Sequence, residues 1–178
     1  MSRQLAPVQR LKERLTTNET WKKFKSQMKT LWQPEFITQI EEIKTAHLSR
    51  TVRSLNTGMP TARRVAEAAA QDQAVRSRCV EIVINAVVVR NQMQMGISTI
   101  QKYLETHYFD TLKAFGVAGV NDRKAIISSL LSPYQQRFDR VCTLIEVADI
   151  VINDLEAAGW AVKHMVEALT VATKREGL

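Results

Sequence analysis

The sequence predicts an all-α protein, a helical bundle with long helices and a basic helical N-terminal arm. Its 178 residues include only six Gly and four Pro, and the prolines fall where helices would begin. Apolar residues recur every three to four positions along most of the chain, which is the period of an amphipathic helix. An apolar content of 45% is enough to form a buried core.

Positive charge is concentrated towards the N-terminus. Residues 1–64 contain 13 basic and five acidic residues, whereas residues 65–178 contain 12 basic and 13 acidic residues. The sequence Asn-Thr-Gly-Met-Pro at positions 56–60 is the clearest helix break. We therefore expect two parts, a basic helical arm over residues 1–58 and a helical body over residues 59–178.

The arm is predicted to contain three helices. The first covers residues 3–15, where leucines and a valine are three to four positions apart. The second covers residues 19–31 and can be capped by Thr17 or Asn18. The third begins after Pro34, a residue favoured in the first turn of a helix, and extends to about residue 55.

The body is predicted to consist mainly of two long helical stretches. The first begins at residue 60, is weakened at Gly96 and continues to about residue 115. Small residues at 116–119 indicate a turn, and a short helix follows to residue 131. Ser132 and Pro133 would then cap and start a separate last helix, which ends near residue 174.

The last helix is apolar around most of its circumference, so more than one neighbour must cover it. Because a chain of this size has few spare helices, we expect a homo-oligomer assembled through this helix. A tight monomeric bundle is the alternative. The expected oligomerisation residues are Leu144, Ile145, Ala148, Ile152, Leu155 and Trp160.

Lysines and aromatic residues of the second helix indicate a surface for single-stranded nucleic acid. Cations follow the phosphates, and exposed aromatic faces stack on unpaired bases at about 1–3 kcal/mol each. The candidate contacts are Lys22, Lys23, Lys25, Lys29, Trp21 and Trp32, with Arg50, Arg53, Arg63 and Arg64 extending the charge. Aromatic residues at helical spacing also fit a core-facing stripe. Phosphate binding is therefore favoured, whereas base stacking stays open.

The sequence lacks the motifs of the common enzyme classes. The three histidines lie far apart, and no zinc-binding, phosphate-loop or nucleophile-elbow pattern is found. We expect a non-enzymatic protein without a metal or cofactor. The polar N-terminus and the short apolar runs predict a cytoplasmic protein that has no membrane partner.

A short motif near the C-terminus carries a family resemblance. Residues 159–164 read Gly-Trp-Ala-Val-Lys-His and follow an aliphatic helix. Residues 103–108 and 124–131 add a weaker pattern. Together these segments resemble UvsY, the recombination mediator family of T4-type phages, over about residues 75–172. Residues 1–64 have no counterpart in that family, so placing DNA contacts in the arm is an inference from charge alone.

The resemblance implies a ring-like homo-oligomer formed through the C-terminal helices. Such mediators bind single-stranded DNA along its phosphates. They help to load a RecA-type recombinase onto strands covered by a single-strand-binding protein, and ATP hydrolysis belongs to the recombinase. We therefore expect a recombination accessory protein, located in the host cell cytoplasm if it is phage-encoded. The alternative is a phage virion structural or assembly protein, whose basic arm contacts DNA or a partner protein.

Overall fold

The computed structural model describes residues 6–50 and 61–176, with the side chains of residue 169 and residues 172–176 excepted. Within these ranges the chain forms five α-helices and no β-strand, which confirms the all-α prediction. The helices are α1 (Pro7–Leu15), α2 (Glu19–Leu31), α3 (Glu35–Leu48), α4 (Ala62–Ala114) and α5 (Val120–Glu176). The predicted linker at residues 56–60 lies outside the described residues.

The chain divides into two compact units. Unit 1 comprises Met1–Gln33 and Val88–Val141, and unit 2 comprises Pro34–Val87 and Cys142–Leu178. Helices α4 and α5 each contribute one part to unit 1 and the other part to unit 2. Both units therefore combine residues from the two sides of residue 58, where the sequence suggested a division between arm and body.

In unit 1, α1 and α2 pack on parts of α4 and α5. Pro7 occupies the first turn of α1, where its missing N–H would have had no acceptor within the helix. Asn18 caps α2, since its side-chain oxygen accepts the Trp21 backbone N–H at 2.8 Å. The amide nitrogen of Asn18 donates to the phenol oxygens of Tyr103 and Tyr108 at 2.9 and 3.0 Å. One side chain thus both starts α2 and links it to α4.

Gly96 marks a close approach between α2 and α4 in unit 1. A Cβ atom built at this position would lie 2.5 Å from Cε of Met28, which is fully buried. The sequence suggested that Gly96 would weaken the helix, but α4 continues through it. The missing side chain therefore allows Met28 to pack against the α4 backbone.

The turn between α4 and α5 falls where the sequence predicts it. Gly116 has a φ of 89°, in the left-handed region that glycine adopts without strain. The N–H of Val117 donates to the Leu112 carbonyl at 3.1 Å, and the N–H of Gly116 donates to the Lys113 carbonyl at 2.9 Å. This pair of hydrogen bonds is the Schellman arrangement that ends a helix at a glycine.

Helix α5 corrects the prediction of two separate C-terminal helices. It is one helix with Pro133 in its interior. A proline there lacks the N–H that would bond the carbonyl four residues earlier, at a cost of about 3 kcal/mol. Leu130, Leu131 and Val141 are buried on both sides of Pro133. Their packing offsets the lost hydrogen bond, so the helix continues.

Unit 2 consists of α3 and the remaining parts of α4 and α5. Its core comprises Phe36 and Ile43 of α3, Val65, Ala68, Cys79, Ile82 and Ala86 of α4, and Leu144, Ile145, Ala148, Val151, Leu155 and Val162 of α5. Helix α3 ends at Leu48, not near residue 55 as the sequence suggested. None of the helices over residues 7–48 and 62–176 combines the length and hydrophobicity needed to cross a membrane.

Candidate nucleic-acid interface

Most of the excess positive charge belongs to unit 1. Its two segments contain 15 basic and six acidic residues, whereas those of unit 2 contain 10 basic and 12 acidic residues. Unit 1 therefore carries a formal charge of +9 and unit 2 a charge of −2, which agrees with the net charge of +7 for the chain. The charge asymmetry follows the compact units and not simply the order of the sequence.

Helix α2 exposes four lysines around a buried apolar stripe. The buried stripe consists of Trp21, Phe24 and Met28. The exposed lysines are Lys22, Lys23, Lys25 and Lys29. Lys22, Lys25 and Lys29 are three and four positions apart and share one side of the helix, about 100° around the axis from the stripe. Lys23 lies on the opposite flank.

The α2 surface holds little negative charge. Glu19 is the only acidic residue in the helix, and its Oε1 lies 2.8 Å from Nζ of Lys22. This hydrogen bond holds the pKa of the Glu19 carboxyl below its ordinary value. Like charges at helical spacing repel each other by a few tenths of a kcal/mol, so Lys25 and Lys29 destabilise one another. A bound polyanion would relieve that repulsion.

The two predicted stacking residues of the arm are partly or fully enclosed. Trp21 is only 7% exposed. Its ring centre lies 5.4 Å from that of Phe24 and 6.1 Å from that of Tyr134. Trp32 is half-buried, and the guanidinium carbon of Arg137 lies 5.7 Å from its ring centre. The core-facing interpretation therefore holds for Trp21, which offers no open face for stacking.

Arg50 is a buried ion-pair residue and not part of an exposed cationic surface. Its side chain is 2% exposed. Nε and Nη2 donate to the two oxygens of Asp72 at 2.8 and 3.0 Å, and Nη1 donates to Asp154 Oδ2 at 2.7 Å. Burial opposes the charge of Arg50, but these hydrogen bonds outweigh it and raise the pKa of the guanidinium. A phosphate could not reach these donors without breaking the pairs, which corrects the expectation for Arg50.

The remaining predicted arginines that the structure describes belong to unit 2, whereas the α2 lysines belong to unit 1. Arg63 and Arg64 are exposed at the start of α4, in unit 2. Nε of Arg63 donates to Glu67 Oε1 at 2.8 Å, although both side chains stay largely in solvent. Arg53 lies outside the described residues. The structure thus brings together the lysine half of the predicted interface within unit 1.

Four of the six expected oligomerisation residues are buried within unit 2. These are Leu144, Ile145, Ala148 and Leu155. Because other parts of the same unit already cover them, they cannot also contact a second copy. Ile152 is half-buried, and Trp160 is 63% exposed. Nζ of Lys163 lies 5.4 Å from the Trp160 ring centre. Ile150, which is 66% exposed, and Trp160 are the two most exposed large apolar side chains among the described residues of α5.

Sequence reasoning missed three residues that surround the α2 lysines. Lys12 of α1, and Pro133 and Tyr134 of α5, line a pocket together with Lys22 and Lys25. These residues are far apart in sequence and come from three helices. No local periodicity could have indicated that they share a site.

Within residues 6–50 and 61–176, no three His, Cys, Asp or Glu side chains come together where they could hold a metal ion.

No protein-family model, curated protein or solved structure matches the chain significantly. The choice among functions therefore depends on the charge and geometry described above.

Proposed function

We propose that this chain is a non-enzymatic protein that binds single-stranded DNA through the cationic surface of unit 1. The α2 lysines, with Lys12 of α1, form that surface. The observation that supports the proposal is the division of charge, +9 in unit 1 against −2 in unit 2. An excess of this size on one compact unit attracts polyanions and repels other cations.

The lysines favour contact with phosphates over reading of bases. A lysine presents a compact charge on a flexible stem, so it neutralises phosphates with little dependence on sequence. Binding of this kind releases counterions and weakens steeply with salt. Flexible, unpaired strands can follow the surface of a small helical unit more closely than a stiff duplex, so we expect a preference for single strands.

Self-association would strengthen this binding. Several copies of unit 1 on one strand act at a high effective concentration, so individually weak phosphate contacts become a tight complex. Trp160 and Ile150 are the exposed apolar residues of α5 that we propose for contact between copies, because exposed apolar side chains gain most from burial. Assembly into a ring, and the loading of a RecA-type recombinase onto strands covered by a single-strand-binding protein, are proposed from the UvsY resemblance.

Fluorescence anisotropy with labelled oligothymidine tests DNA binding directly. Replacing Lys22, Lys23, Lys25 and Lys29 together by Gln removes four positive charges from unit 1. We expect the affinity for single strands to fall by about 600-fold at about 0.1 M salt, because each of the four contacts contributes about 0.7 log units there. The matched control replaces Lys44, Arg76, Arg78 and Lys163 of unit 2 by Gln and lowers the net charge equally.

The control should bind nearly as tightly as the wild type. Equal losses in the two variants would mean that net charge alone governs binding, and the proposed surface would be wrong. Recombinase stimulation is a separate assay: strand exchange on DNA covered by a single-strand-binding protein should be faster with the wild type than with the lysine variant. Copurification with capsids and no stimulation would favour the virion alternative.

A further inference from the structure

A pocket in unit 1 combines a cationic rim with an apolar wall. It encloses about 390 Å³, within the range of about 300–1,000 Å³ typical of small-molecule sites. Its lining residues are Lys12, Thr16, Trp21, Lys22, Lys25, Leu130, Pro133 and Tyr134. All eight belong to unit 1, and they come from α1, the α1–α2 turn, α2 and α5.

The wall of the pocket is apolar and uncharged. Tyr134 packs edge-on against Phe24, with ring centres 4.8 Å apart, and against Trp21, with ring centres 6.1 Å apart. Burial raises the pKa of the Tyr134 phenol, so it stays neutral at physiological pH. These edge-to-face contacts orient the Tyr134 ring, which presents apolar surface to whatever enters the pocket. The wall therefore suits a planar, weakly polar group.

The rim of the pocket suits an anion. Lys12 comes from α1, whereas Lys22 and Lys25 come from α2. Lys22 is partly neutralised by Glu19 at 2.8 Å. Neither Lys12 nor Lys25 has an acidic partner within 4.0 Å among the described residues. Two ammonium groups on separate helices can thus converge on one phosphate.

We propose that this pocket receives one unpaired nucleotide of a single strand. The base lies against Tyr134 and Pro133, and its phosphate contacts Lys12 and Lys25. The inference rests on the proposed function and adds a base-binding subsite to it. A base paired in a duplex must first lose its pairing and stacking to reach the wall, at a cost of about a few kcal/mol, whereas a base of a single strand turns outward at a smaller cost. The subsite would therefore give the preference for single strands a structural cause.

Two oligonucleotides of equal length separate base binding from phosphate binding. Oligothymidine has both bases and phosphates, and an abasic strand has the same phosphates without bases. We expect the full-length protein to bind oligothymidine about 5- to 150-fold more tightly, the range for one engaged base. Equal affinities would overturn the subsite and leave the proposed function intact. If neither strand bound at low salt, both proposals would fail.

A blocking variant then locates the base contact. Thr16→Phe places a bulky side chain at the exposed edge of the pocket and changes no charge. It should remove the advantage of oligothymidine and leave the affinity for the abasic strand unchanged. Thr17→Phe adds the same bulk at the adjacent exposed position, which does not line the pocket, and should keep the advantage.

A further variant separates the block from the loss of a hydrogen bond. The Thr16 hydroxyl donates to the Glu13 carbonyl at 2.6 Å, so Thr16→Ala removes that bond without adding bulk. We expect Thr16→Ala to bind like the wild type. If the Thr16→Phe protein kept the full preference for oligothymidine, the bases would bind elsewhere, and the pocket would not be the subsite.

Discussion

The buried Arg50 pairs give the sharpest prediction about the stability of unit 2. Asp72→Asn keeps the size and one oxygen of the side chain but removes the charge that faces the Arg50 guanidinium. The Arg50 side chain is 2% exposed and that of Asp72 is 11% exposed, so water cannot replace the lost carboxylate easily. Removing one partner of a buried ion pair costs about 3–5 kcal/mol.

We expect the lower end of that range for Asp72→Asn. Asp154 still contacts Nη1 of Arg50 at 2.7 Å, and its side chain is 53% exposed. A loss of about 3 kcal/mol in the free energy of unfolding is therefore predicted. Urea denaturation at neutral pH, followed by far-ultraviolet circular dichroism, measures it from the shift in midpoint at constant slope.

A surface pair provides the matched control for this prediction. Glu67→Gln breaks the contact with Arg63, whose side chain is 88% exposed, and should cost less than about 0.5 kcal/mol. The double variant Arg50→Met with Asp72→Leu removes both buried charges and should be more stable than Asp72→Asn, because no unpaired ion is left inside. If Asp72→Asn cost no more than the control, Arg50 would not depend on this pair.

Three further predictions concern stability. Gly159→Ala should stabilise the protein by about 0.5–1 kcal/mol in thermal or urea denaturation, because nothing lies within 4 Å of a Cβ atom at this position inside α5. Destabilisation would indicate that Gly159 contacts another copy of the chain. Leu144→Ala should lower the free energy of unfolding by about 2–5 kcal/mol, because Leu144 is fully buried. Ile150→Ala should lower it by less than about 0.5 kcal/mol, because Ile150 is 66% exposed. Similar losses in the two variants would contradict the packing of α5. Hydrogen bonds from His47 and Arg50, the His47 bond having the larger effect, lower the pKa of Asp154 below its ordinary value of 3.8. The ionised Asp154 side chain therefore stabilises the fold above about pH 4, and this stabilisation is lost as the pH falls below that value. The Asp154→Asn protein should accordingly lose less stability than the wild type between about pH 5 and about pH 3, and identical pH profiles would exclude this contribution.

Local signals in the sequence predicted much of the secondary structure. The Asn18 cap and the turn at Gly116 depend on residues only a few positions away, so the local sequence pattern predicts them. The prediction that a separate helix starts at Pro133 was wrong because the structure there depends on residues that are distant in the sequence. Its local effect is to break a helix, but the burial of Leu130 and Val141 around it depends on the tertiary packing of unit 1.

The candidate interface was only partly predictable for the same reason. The spacing of Lys22, Lys25 and Lys29 places them on one side of α2 whatever covers the helix. Whether Trp21 faces the core depends on Tyr134, which lies more than 100 residues later in the chain. The burial of Arg50 likewise depends on Asp72 and Asp154. Charge alone gave no means to separate a paired, internal arginine from an exposed one.

The salt dependence of single-strand binding tests the central claim most directly. Each phosphate contact on a single strand contributes about −0.7 to the slope of log K against log salt concentration. The protein with Lys22, Lys23, Lys25 and Lys29 replaced by Gln should therefore give a slope shallower than the wild type by about 3. An identical slope for the two proteins would show that these lysines do not contact the phosphates.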